Sequence, residues 1–150
     1  MIATLNGRWQ TRLFLLLLVG GLVTLPIGLW FQALSGSVIG LIAPYVILLL
    51  VTLFGLLWDM AYNYLQTWRW ERDWPPVFQL LAGIVEALLV WLILMGWNRL
   101  FPAAALEVAP WQFVTHYTIV WMVTFFFAQG PMRILFPRWR FDGGELRKRA

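Results

Sequence analysis

Cysteine is absent from these 150 residues, histidine occurs once, and charged residues make up only 12% of the chain. Without thiols there are no disulfides, no thiolate metal sites and no dithiol redox chemistry. One histidine excludes a bis-histidine haem within one chain and leaves no ligand set for a metal. The shortage of charge, against roughly 25% in soluble domains, together with 61% hydrophobic residues, excludes an ordinary soluble fold. The chain also has no nucleophile and base constellation, no nucleotide-binding loop and no internal repeat, and we read it as non-enzymatic.

Charge is missing altogether between Arg12 and Asp59. As one helix that gap would reach about 69 Å, more than twice a hydrocarbon core of about 30 Å. Two spans joined by a tight turn fit instead, and Ser35-Gly36-Ser37 is the breaker between them. The apolar run after Arg12 is also longer than a signal-peptide core of about 7 to 15 residues, so it reads as a first span. The whole pattern predicts an all-α membrane protein: a four-helix transmembrane bundle with helices near 13–34, 38–58, 76–97 and 111–131. An amphipathic inner loop over 59–75 and a basic tail over 132–150 complete a single domain.

Threaded through a bilayer in this way, the eleven Lys/Arg divide ten to one. Arg8, Arg12, Arg69, Arg72, Arg133, Arg138, Arg140, Arg147, Lys148 and Arg149 share one face and Arg99 lies on the other. The positive-inside rule then places both termini in the cytoplasm, in a membrane of the bacterial inner (cell) membrane type. Positive charge confined to one side of apolar segments suits anionic lipid headgroups and argues against nucleic acid as a partner. Trp9, Trp58, Trp68, Trp70, Trp74, Trp97, Trp111 and Trp139 all fall near expected helix edges, where amphipathic rings anchor. Small residues recur at four-residue spacing (Gly20, Thr24, Gly28; Gly36, Gly40; Gly83, Ala87), as helices that pack closely in lipid require.

Glu86 is the one ionisable residue deep within an expected span. Ten residues after Pro76, it would lie about 15 Å into the membrane, near the midplane. A carboxylate at that depth must be protonated, paired, or facing a water-filled path. By depth its expected neighbours are Thr24 and Thr124, as hydroxyls bonded to a neutral Glu86 or as parts of a proton path. His116 should lie roughly 12 Å nearer the outer face, too far for a direct bond. It reads either as an interfacial histidine near a helix start or as an axial ligand or quinone contact.

Two basic and aromatic segments suggest cytoplasmic docking or lipid contact. In the inner loop, Arg69, Trp70, Arg72 and Trp74 interleave charge with indole rings ahead of Pro75-Pro76; in the tail, Arg138, Trp139 and Arg140 alternate. Short loops leave little aqueous surface for chemistry. The expectation is therefore an accessory or assembly subunit of a larger integral membrane complex, partnered by other membrane subunits or by itself. Two alternatives stand beside it: a small proton-coupled transporter or channel oligomerising around Glu86, and a haem, pigment or quinone-binding subunit. Nothing in the sequence selects a cofactor.

Overall fold

The structure, a computed structural model, describes residues 4–68 and 76–136. Among them there are helices, turns and short extended stretches but no strand. The first helix, α1 (Leu5–Ser35), is α-helical to Leu13, π-helical over Phe14–Gly20 and α-helical again from Gly21. It is followed by α2 (Ile39–Gln66), α3 (Pro76–Leu100), a 3₁₀ turn at Pro102–Ala104, α4 (Pro110–Gln129) and a short α5 (Pro131–Leu135). Four helical stretches are long and apolar enough to cross a bilayer, which makes the chain a multi-pass membrane protein built as a helical bundle.

Local chemistry sets the ends. Thr4 caps α1, its Oγ1 accepting from the Gly7 amide at 3.1 Å. Gly36 stops the helix with φ 65°, a left-handed conformation that glycine adopts without a Cβ clash, and its amide donates to the Gln32 carbonyl at 2.9 Å. Pro110 opens α4, where its missing N–H is no loss, and the Gln112 side chain accepts from the Ala109 amide at 2.9 Å.

The α1–α2 hairpin is the most closely packed unit. A Cβ on Gly40 would lie 2.7 Å from backbone atoms of Phe31 and Gln32, so this glycine is what lets the two helices touch. The main core draws on all four long helices: Leu16, Ile47, Leu48, Val51, Val90, Leu94, Phe113, Tyr117 and Val120. A smaller one joins Leu15 and Val19 to Met132 of α5. Outward faces carry Leu22, Leu53, Leu88 and Leu92, each more than half exposed. In water such surfaces would be a liability; against lipid tails they are the solvent-matched side.

Three helices are longer than the sequence suggests. α1 begins at Leu5 rather than 13, α2 runs to Gln66 rather than 58, and α3 reaches Leu100. Residues 59–66, the start of the amphipathic inner loop in which the spacing of Trp58, Tyr62 and Leu65 suggests that the second helix continues, are indeed a continuation of α2. The added turns draw Arg12 and Asp59 into the bundle.

Candidate functional site

Arg12 is held between two carboxylates. Its Nε donates to Asp59 Oδ2 at 2.8 Å and one terminal nitrogen to Asp59 Oδ1 at 3.1 Å, a two-pronged pair between α1 and α2. The other terminal nitrogen donates to Glu86 Oε1 of α3 at 3.3 Å. All three side chains are largely shielded, at 22%, 7% and 9% exposure for Arg12, Asp59 and Glu86. One cation thus neutralises one of two formal negative charges where lone ions are costly.

The seat for the guanidinium is Gly55, one turn before Asp59 on α2. A Cβ there would collide with Arg12 along its side chain, so the missing side chain makes the slot. Trp9, one turn below Arg12, donates its indole N–H to the Leu56 carbonyl at 3.1 Å and fixes the same edge of the hairpin. Tyr62 of α2 and Tyr117 of α4 lie within electrostatic reach of Glu86. The Tyr117 hydroxyl itself donates to the Gly83 carbonyl at 2.7 Å, and Trp121 packs over Gly83.

A second polar contact lies farther along α1. Thr24 Oγ1 and His116 Nε2 are 2.9 Å apart, both residues almost wholly buried. The π-helical segment helps to place both sites on the inward side of one helix. Twelve residues at 3.6 per turn would leave Arg12 and Thr24 about 120° apart on an unbroken α-helix. The wider i→i+5 turns between Phe14 and Gly20 use more residues per turn and close much of that gap.

These placements differ from the expected ones in several respects. Glu86 meets Arg12 rather than Thr24 or Thr124. Thr124 instead bonds back to the Val120 and Trp121 carbonyls at 2.8 and 3.1 Å, while Thr24 takes His116. The physical reason is the added turns at the start of α1 and the end of α2. They bring the two residues that bound the charge-free stretch level with Glu86, so that the carboxylate sits with other charges rather than alone at mid-depth. No bond joins Glu86 to His116. His116, in the second turn of α4, is 1% exposed, with Nε2 engaged by Thr24 and Nδ1 buried without a hydrogen-bond partner. Arg69, Trp70, Arg72 and Trp74 of the inner connection, and Arg138, Trp139 and Arg140 of the tail, lie outside the described residues.

Arg12, Asp59 and Gly55 escaped the sequence reading as site residues, yet a signal exists. Arg12 lies 24 residues before Gly36 and Asp59 lies 23 after it, so a hairpin turned at Gly36 brings opposite charges level. Gly55 sits four residues before Asp59, on the same helical face. Comparison with protein-family models, curated proteins and solved structures finds no match to this chain, so its function is argued from this geometry alone.

Proposed function

We propose that the protein is a non-enzymatic accessory or assembly subunit of a larger integral membrane complex, with both termini on the cytoplasmic side of a bacterial-type inner membrane. The observation that supports this reading is where the buried polar groups go. Arg12, Asp59 and Glu86 bind one another across three helices, and Thr24 binds His116 across α1 and α4. The interior polarity is thereby spent on holding the bundle together. What the molecule offers outward is apolar: the described connections are short, residues 36–38 and 101–109, and α3 and α4 present wide lipid-facing or partner-facing surfaces. Anionic headgroups are the natural counterpart of the basic cytoplasmic side. Purification from the native membrane in mild detergent, followed by mass spectrometry and a visible spectrum, tests the reading. Stoichiometric membrane proteins in the preparation support it; a colourless homo-oligomer overturns it.

A second reading, a small proton-coupled transporter or channel, is favoured by the unequal sharing of Arg12. Glu86 holds it by one 3.3 Å contact and Asp59 by two shorter ones, so Glu86 is the carboxylate left to take up a proton. Glu86→Gln should then abolish proton flux in proteoliposomes, and unchanged flux would remove the transport reading. A pigment or haem role would require the Thr24–His116 bond to break, and visible absorbance that disappears in His116→Ala would be its signature.

A further inference from the structure

We propose that the Arg12–Glu86 contact is a charge-dependent latch: a proton taken up by Glu86 releases the inner half of α3 from the α1–α2 hairpin, while Arg12 stays with Asp59. The inference rests on the reading of Glu86 as a proton-handling group but not on transport.

Three observations carry it. The first is the unequal grip on Arg12. Two carboxylates share one guanidinium, and Asp59 holds it two-pronged from the adjacent helix, over the slot made by Gly55. Two negative charges against one positive charge in a shielded site favour adding a proton, and the carboxylate with the single long contact gives up least by accepting it.

The second is how few of the described side chains in the inner half of α3 are buried. Of its described side chains from Val77 to Glu86, only Gly83 and Glu86 are buried. Leu81, Ile84 and Val85 are each more than half exposed. The long side chain of Arg12, rather than packing of helix on helix, joins this part of α3 to α1.

The third is that the remaining ties of α3 lie elsewhere and supply a pivot. Gly83 receives Trp121 and the Tyr117 hydroxyl from α4, and Val90 and Leu94 are buried in the main core. Neutralising Glu86 removes the ion pair with Arg12 and leaves both the tie to α4 at Gly83 and the packing of Val90 and Leu94 on the hairpin in the main core, about which the inner half can swing. Among the described residues, the charged and titratable groups facing Glu86 are Arg12 from α1, Asp59 and Tyr62 from α2, and Tyr117 from α4. The Tyr117 hydroxyl is already committed to the Gly83 carbonyl, which leaves the two carboxylates to compete for Arg12.

The full chain in lipid nanodiscs tests the latch by two measurements between neutral and mildly acidic pH. Infrared difference spectroscopy should show a protonated-carboxyl band on acidification that is missing in Glu86→Gln and retained in Asp59→Asn. For distances, the cysteine-free chain accepts a pair of spin labels at the exposed positions Met60→Cys on α2 and Val77→Cys on α3. Acidification should add a longer component to the distance distribution. That component should be present at every pH in Glu86→Gln and should need about one pH unit more acid in Asp59→Asn, where Glu86 has Arg12 to itself. No carboxyl band in the wild type, a distance distribution independent of pH, or a Glu86→Gln variant that still responds like the wild type would each overturn the proposal. Should Glu86→Gln fail to fold, the wild-type band and distances, together with the Asp59→Asn shift, decide it. Wild-type proteoliposomes that carry no proton flux, with the band and the distance change present, would sink the transport reading and leave the latch standing.

Discussion

Gly55 has no side chain, and Arg12 lies where one would be. Gly55→Ala should therefore cost about 1–3 kcal/mol, the usual penalty for overpacking a filled site. Thermal melting in detergent checks it, and the same substitution in an Arg12→Met background should be nearly silent, because the colliding guanidinium is gone. The ion cluster makes a sharper prediction. Arg12→Met alone leaves two carboxylates shielded without a cation and should destabilise the bundle by about 3–5 kcal/mol. Replacing all three groups together, as Arg12→Met with Asp59→Leu and Glu86→Gln, should recover most of that loss. A triple variant as unstable as the single one would show that the cluster holds the bundle through something other than charge compensation.

Among the elements, the connection over 101–109 shows how few bonds can order a loop. Asn98 at the end of α3 donates through Nδ2 to the Leu106 carbonyl and accepts from the Leu106 amide, both at 2.9 Å. Trp97 donates its indole N–H to the Ala104 carbonyl at 3.1 Å. These bonds turn the segment after the 3₁₀ turn inward, so that Leu106 and Val108 pack against the main core. Asn98→Ala removes both partners of Leu106 and should raise hydrogen exchange across 101–109 by about tenfold or more, each lost bond being worth about 1 kcal/mol. Exchange in α1 and α2 should change far less, since these two helices pack directly on each other at Gly40. The signal for the clamp is faint in the sequence: an Asn eight residues from its partner, across a Pro and three alanines, matches no standard cap or turn.

For the whole molecule, orientation is the property that charge distribution predicts and helix packing does not. A cysteine-free chain allows single-cysteine accessibility to test it. Asn6→Cys, exposed near the start of α1, should react with a membrane-impermeant maleimide only after the cells are opened, and Ala103→Cys in the outer loop should react in intact cells. Labelling of Asn6→Cys in intact cells would reverse the assignment. Four spans, the break at Ser35-Gly36-Ser37 and the prolines opening α3 and α4 were legible along the chain, because membrane thickness and backbone sterics act on local sequence. The partner of Glu86 was not. Finding it required knowing that α1 and α2 extend past their apolar stretches, and so which charges share a level.

The linear sequence by itself determined that this is a helical membrane protein of four spans, since backbone groups in lipid must be satisfied within each segment and apolar length then sets the count. It also determined that Glu86 would be protonated, paired or facing water, since a bare buried carboxylate is costly anywhere in a bilayer. Which partner it took was decided only in three dimensions. The turn at Gly36 brings Arg12 level with Asp59, Gly55 opens the slot, the π-helical stretch turns Thr24 toward His116, and Gly83 draws α3 against α4. Each of these depends on depth and rotation between helices, which side-chain packing sets and hydropathy along a chain does not encode.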